Sequence, residues 1–600
     1  MMIDLGSDTE VSSDTEVNSR TEVSPDIDDN SCTEISEKPE KPEKPEMPEK
    51  PEGPERPEEP FPRQNMRNLL AKAAEKRLKR AKMTTSETTA SETDIEVVST
   101  VPTSIFRSPI RLIGNPAYCE EFCRNGDKDT VSLSDLIGSP LLEKTYQFNF
   151  LIDCQFLLKF LKADPVNVEL ILIGVNDNDH LQLDESQKFS FRIKTIDVSK
   201  KLPKFGSHHT KLMVNLFQDD TCQIVVHTMN LTVADYAIQT QMCWVSPRLS
   251  KLHKDQWRLY QRPDLDPLKD TGDIFKKDLI SYLESYEESL LSELIGELES
   301  FDFTPIRVQF VGSSPGKYTL DSSLQKYSPD TVSKTFGFGK LYQWIKIYGL
   351  DTCKGEMVGQ SSTIASPFDS KKSNIFTHVL TGVAEGRQPV VKEADHEFIP
   401  KCGLQPIIVW PTVREILKSK ATFLSGHALH FKVNRIGKYA GYAEQYRNIQ
   451  QFLHKWSSGK DSELSKAGRS HLSPHVKTYC VTEDHFKSLN WFLLSSANIS
   501  SQAWGRPFKK LKHEPPNICK YRVSSYEVGI LINPKTIGGD EQPNLKLVPV
   551  FGKDTVQSTE PVCPVRLPYD VPLQKYSASD EPWTTEKLVE IESSLPLHQG

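Results

Sequence analysis

The first residues of this 600-residue chain, MMIDLGSDTEV, hold no apolar stretch of the kind a secretory signal needs, and no later apolar run approaches the length of a bilayer crossing. Its eleven cysteines follow no regular framework, so they are expected to be reduced thiols inside a cell. Cys119 and Cys123, in CEEFC, have no second pair at metal-site spacing, which leaves two ordinary thiols rather than a zinc site. The expectation is a soluble protein that needs no metal.

Acidity is confined to the front. Residues 1–60 carry 19 acidic and 6 basic side chains, a net of −13 within an overall −8, so residues 61–600 carry +5. A mildly basic working part permits a polyanionic ligand. The polar repeat SDTEVSSDTEV and the Pro-Glu repeats that follow cannot build a packed core, and the first 103 residues are expected to be disordered. Residues 63–82 then hold eight basic side chains and one acidic, which suits nuclear import or a nucleic-acid tether, or equally a solvated helix.

Globular signals begin near residue 104. YQFNFLIDCQFLLKFL reads as a strand running into a helix, and VELILIG (168–174) as a strand covered on both faces. Residues 273–299 have helical periodicity, VQFVGSSPGKY (308–318) is a strand ending in turn residues, and similar α/β material resumes at YQWIKIYGL. Domains 104–320 and 321–600 are expected, each with strands and helices in alternating layers.

One constellation occurs twice. His-x-Lys stands at His209/Lys211, His430/Lys432, His475/Lys477 and His485/Lys487, and on a strand the two side chains of each would share a face. Only two copies have the same company. After Lys211 an apolar strand leads to Asn230, and after Lys477 another leads to Asn498, at spacings of 19 and 21. The copies at His430 and His485 lack that sequel and read as structural or surface residues. Two histidines, two lysines and two asparagines meeting at one centre would cradle the oxygens of a phosphodiester and stabilise charge developing at phosphorus. One imidazole can attack phosphorus while the other delivers a proton. The lysines supply the positive charge, so neither metal nor cofactor is called for.

FGSHHTKLMVNLF, HTMNL, PHVKTY, SSANISSQAWG, SYEVG and LPYDVPLQKYSASDEPW closely resemble the tyrosyl-DNA phosphodiesterases of the phospholipase D superfamily, from about residue 104 to the C-terminus. The common superfamily pattern has Asp five residues after each Lys; Leu216 and Thr482 stand there instead, as in the tyrosyl-DNA branch. The resemblance implies two pseudo-symmetric α-β-α sandwich domains. It implies His209 as nucleophile on a DNA 3′-phosphate, His475 as acid and then base, and Lys211, Lys477, Asn230 and Asn498 as phosphate holders. Gln241 and Glu527 are implied as partners orienting the imidazoles, with the pairing open.

Phe205 resembles the family's base-stacking aromatic, or is a core phenylalanine. Ser361, Ser425 and Ser500 are implied on the DNA side, and Trp583 on the peptide side of the cleft or, equally, as a buried tryptophan. His208 should face away from His209. RPFKKLKH (506–513) carries cations that meet either phosphates or solvent. The implied substrate is single-stranded or nicked DNA bearing a topoisomerase I-derived 3′-phosphotyrosyl peptide, handled by a nuclear monomer, with cytoplasmic or mitochondrial shares open and repair-protein partners reached through the front. Competing readings are another metal-independent phosphodiesterase of the superfamily and a non-catalytic nucleic-acid-binding relative.

Overall fold

VELILIG contributes the strand Glu169–Gly174, and its unbroken apolar character has a simple cause. Leu170 and Leu172 pack on one side with Phe156 and Leu157 of the helix Cys154–Leu158, while Ile171 and Ile173 pack on the other with Phe275 and Leu279. A strand buried on both faces has no polar side to show. The computed structural model describes residues 107–114, 129–174, 192–323, 327–368, 373–389, 403–434, 441–457, 465–509, 513–552, 554 and 558–594. The acidic front, the basic run 63–82 and the Cys119/Cys123 pair lie outside the described residues.

Two sheets repeat one topology. Across the first, the order is Thr130–Val131, Ile110–Ile113, Gln239–Val245, Thr221–His227, Leu212–Phe217, Leu142–Phe148, Glu169–Gly174 and Arg192–Asp197. Across the second it is Gln309–Phe310, Gly529–Ile532, Trp491–Ser495, Thr478–Thr482, Glu356–Gln360, Gln405–Val409 and Leu453–His454. From Ile110–Ile113 and Gln309–Phe310 onward, each junction matches in direction: antiparallel until the fifth strand, then parallel. The strand Gln309–Phe310 thus pairs in the second sheet although it precedes residue 320. Inner faces of both sheets share one apolar cluster with the helices Thr271–Glu284 and Ser289–Glu299. The described residues all belong to one compact unit. No helix among the described residues is long and apolar enough to cross a membrane.

Two expectations are corrected. The helical periodicity of 273–299 is split into two helices, because Ser285 Oγ donates to Tyr282 O and Tyr286 turns into the core, stacked 4.1 Å from Tyr526. The His-x-Lys motifs do not lie on their strands. Leu212 and Thr478 begin the strands, each one residue after a lysine.

Between the helices Thr271–Glu284 and Phe338–Ile347 lies a buried ion pair, Lys340 Nζ 2.8 Å from Asp278 Oδ1, with Nζ also donating to Val332 O at 2.6 Å. Removing one member strands the other charge in the core. Asp278→Ala is expected to cost about 3–5 kcal/mol by urea denaturation; a loss under about 1 kcal/mol would contradict this account.

Candidate active site

The segment 208–211 runs extended ahead of its strand, so side chains alternate. His208 and Thr210 face the interior. His208 Nδ1 lies 3.2 Å from Asn149 O and Nε2 3.0 Å from the Tyr286 hydroxyl, while Thr210 Oγ1 lies 2.6 Å from the Tyr282 hydroxyl. His209 and Lys211 take the opposite side. At its start this backbone pairs with the other half: His208 bridges Tyr526, and the His209 N–H donates to Tyr526 O at 2.9 Å. The second motif does the same in reverse. Ser473–Pro474 pairs with Gln239–Thr240, and the His475 N–H donates to Thr240 O at 3.2 Å.

This exchange sets which partner serves which imidazole. His209 Nδ1 is 2.9 Å from Glu527 Oε2, and His475 Nδ1 is 2.9 Å from Gln241 Nε2 and 3.3 Å from its Oε1. Each partner is held by a hydroxyl two residues before the motif asparagine. Ser496 donates to Glu527 Oε2 at 2.5 Å and Thr228 to Gln241 Oε1 at 2.7 Å. Each lysine donates to the carbonyl of its own histidine, Lys211 to His209 O at 3.0 Å and Lys477 to His475 O. Asn498 Oδ1 accepts from Ser361 Oγ and from the Ser362 N–H and Oγ at 3.0–3.3 Å, and its amide N–H groups make no hydrogen bond among the described residues. The Asn230 side chain makes no hydrogen bond among the described residues, and its Oδ1 is buried. Polar groups left unpaired at one point suit a polar ligand.

The electrostatics favour an anion. Lys211 and Lys477 are both fully buried. Burial pulls the Lys211 ammonium down to about 8 against the opposing pull of Glu527 and Asp235. Burial, then the Lys211 charge, drives Lys477 well below the usual lysine range. An anion between them would reverse both shifts. Burial pushes His209 down to about 4 against Glu527, and pushes His475 well below its ordinary value, helped by Lys477, Lys211 and His209. Without an anion beside them both imidazoles are therefore neutral near pH 7, and a phosphodiester bound between the lysines favours the protonated form of His475.

Neutral buried imidazoles make the fold acid-sensitive. Burial sets His208 and His227 at about 3 and His209 at about 4, against about 6.5 unfolded. Between pH 6.5 and about 4 the unfolded chain binds more protons than the folded one, so this stabilisation is complete above pH 6.5 and is lost as pH falls through that window. The urea midpoint is expected to drop steadily from pH 7 to pH 5, each such histidine contributing up to about 1.4 kcal/mol per pH unit. A midpoint that holds or rises over that range would contradict the assignment.

The family model described as tyrosyl-DNA phosphodiesterase matches residues 111–577. The chain belongs to the tyrosyl-DNA phosphodiesterase family. It is 28% identical over 529 residues to a probable tyrosyl-DNA phosphodiesterase of Schizosaccharomyces pombe, covering 79% of this chain and 93% of the relative. Tyrosyl-DNA phosphodiesterase 1 of Saccharomyces cerevisiae is 25% identical, with 81% and 85% covered. The crystal structure of the yeast enzyme shares the fold at 21% identity and a TM-score of 0.56, over 79% of this chain and 99% of that one. The α/β fold is thus of the phospholipase D type.

Within this tyrosyl-DNA phosphodiesterase fold, three expected substrate contacts are packed into the interior. Trp583 is fully buried: its indole donates to Gly426 O at 3.1 Å, and a Cβ on Gly426 would come 2.2 Å from the ring, so glycine is what admits the indole. It lines no cleft. Ser425 is buried and 2.9 Å from Ser419 Oγ. Ser361 is likewise buried; it positions Asn498 and accepts from the Ile499 N–H at 3.1 Å. Ser500 caps the helix Ser501–Trp504 by accepting from the Ala503 N–H. Phe205 is part-exposed with a positive φ of 65°, a conformation that costs a phenylalanine roughly 1–2 kcal/mol.

Other residues came only with the structure. Asp235 Oδ2 lies 3.3 Å from His475 Nδ1 and accepts from the Asn230 N–H at 3.0 Å. Phe150 meets the His209 ring edge-on at 5.5 Å and lies 5.6 Å beneath Lys211 Nζ. His430, expected to be a bystander, is exposed on a strand beside Ser362, whose carbonyl accepts its N–H at 2.9 Å. Asp235 had a legible signal, five residues after Asn230 in the first unit, where the second has Ala503 after Asn498.

Proposed function

We propose that this chain hydrolyses the ester between a DNA 3′-phosphate and the tyrosine of a topoisomerase I-derived peptide, by way of a phosphohistidine. His209 Nε2 attacks phosphorus; the phosphorus–oxygen bond to tyrosine breaks, and the departing oxygen takes a proton from His475. Water, giving a proton to His475, then displaces His209, leaving a 3′-phosphate. Lys211, Lys477, Asn230 and Asn498 hold the non-bridging oxygens, whose charge grows in each transition state.

The observation that carries this reading is the unlike partnering of the two imidazoles. A carboxylate only accepts, so Glu527 holds a proton on His209 Nδ1 and keeps the Nε2 lone pair free for attack. Gln241 offers both a donor and an acceptor to His475 Nδ1, which suits a ring that is acid in one step and base in the next. Asp235 supports the doubly protonated form. Partner asymmetry on a symmetric frame thus divides nucleophile from proton carrier. The same reading has the protein act as a nuclear monomer, with Phe205 stacking on a base near the scissile phosphate.

The test is turnover in EDTA of a single-stranded oligonucleotide bearing a 3′-phosphotyrosine. Release of a 3′-phosphate strand and free tyrosine is expected. No turnover by folded protein, or cleavage only of unmodified internal phosphodiesters, would overturn the proposal.

A further inference from the structure

A small antiparallel sheet, Gly316–Asp321, Ile518–Val523 and Arg506–Pro507, packs one face onto the second core through Leu320, Cys519, Tyr521 and Val523. Its other face is exposed. In register across it stand Lys317, Arg522 and Arg506; in the next row stand Thr319, Lys520 and Phe508, the last joined by its N–H to Lys520 O at 2.8 Å. Neighbouring strands lie about 4.8 Å apart, so three cations occupy roughly 10 Å with no acid between them. Like charges directly opposite one another destabilise a sheet. Lys520 is paired with Glu514 at 3.0 Å, and the Asp321 carboxylate at the far end is occupied by Ser323 and Asn517. Lys317, Arg506 and Arg522 make no ion pair among the described residues. Phe508 is 41% exposed beside them.

We propose that this face is a second, sequence-independent contact for the DNA strand, its three unpaired cations meeting successive phosphates and Phe508 stacking on a base. The occupant follows from charge complementarity together with an aromatic platform, the pairing that single-stranded nucleic acid uses, and from the position of the sheet; the proposal rests on the reading of the substrate as DNA. Arg522 is five residues from Glu527, at most about 18 Å of chain, and Arg506 is eight from Asn498. Ser524, just beyond the central strand, packs its carbonyl against Gly206, where a Cβ would come within 2.1 Å, next to Phe205. On this proposal, a strand leaving the reacting phosphate past Phe205 continues onto this face.

Length dependence is the test. Lys317→Ala, Arg506→Ala and Arg522→Ala are combined, and turnover is measured on 4-nucleotide and 20-nucleotide 3′-phosphotyrosyl substrates, with anisotropy on a 20-nucleotide strand ending in a 3′-hydroxyl. The expected result is a KM at least tenfold higher for the long substrate only. The log–log salt slope should also be shallower by about 2, at about 0.7 per lost phosphate contact. Phe508→Ala should weaken long-strand binding at least fivefold with the salt slope unchanged, and the swap Lys317→Arg, Arg506→Lys, Arg522→Lys should restore wild-type values. Unchanged long-strand KM and salt slope overturn the proposal, as does loss of binding to anionic phospholipid vesicles with strand binding intact. If the wild type binds the 20-nucleotide strand through this face yet turns over neither substrate, the catalytic reading fails and this one stands.

Discussion

His209→Ala is expected to abolish release of tyrosine from a 3′-phosphotyrosyl strand, with kcat lower by about 10⁴- to 10⁶-fold, the scale on which loss of an enzyme nucleophile is felt. The site has no substitute. Glu527 has one oxygen committed to Ser496 and to the ring itself, and the other histidine is assigned to the leaving group by the proposed mechanism. Substrate binding should survive, because both lysines and both asparagines are untouched, so KM should change little while kcat collapses. Glu527→Gln gives the companion result. An amide can donate to Nδ1 as well as accept from it, so the fraction of His209 with a free Nε2 lone pair falls, and kcat is expected to drop about tenfold or more without a change in KM. Rapid-quench measurement of the first turnover separates the two variants from a folding defect, which would lower the active fraction and leave the rate of the remaining molecules intact. A His209→Ala rate within tenfold of wild type would remove His209 from the chemistry.

The parts of this site legible in the sequence are those that local geometry fixes. His209 and Lys211 share a side because alternate residues of an extended segment do, and the apolar strand behind each motif delivers Asn230 and Asn498 at matched spacings. The sheets repeat because both units carry that grammar. What stayed illegible depends on chain crossing. Glu527 reaches His209, and Gln241 reaches His475, only because each motif leaves its own sheet to pair with the other half, and no local pattern states that exchange. Exposure is equally non-local: DEPW suggested an aromatic on the cleft wall, yet Gly426, 157 residues away, opens the slot that buries Trp583. Phe150 was hidden for a related reason, since in FNFLIDC it looks like one more strand residue until the His209 ring is set against it.

His475→Ala is expected to split the two chemical steps apart. Tyrosine leaves as a phenolate whose conjugate acid has a pKa of about 10, so the first displacement tolerates the loss of its acid. Water, with a pKa near 15.7, is a poor nucleophile unless a base takes its proton, so the second displacement suffers by about 10²- to 10⁴-fold. Attack by His209 then outruns hydrolysis, and the DNA strand should accumulate on His209, visible as a protein band shifted by the mass of the oligonucleotide, stable to base and labile to acid. Gln241→Ala should do the same more weakly, because the ring stays in place with Asp235 still 3.3 Å from Nδ1. The double variant His209→Ala, His475→Ala must show no band at all. Accumulation that persists without His209 would mean that another group attacks phosphorus, and unimpaired steady-state turnover by His475→Ala would mean that the second imidazole carries no proton in either step.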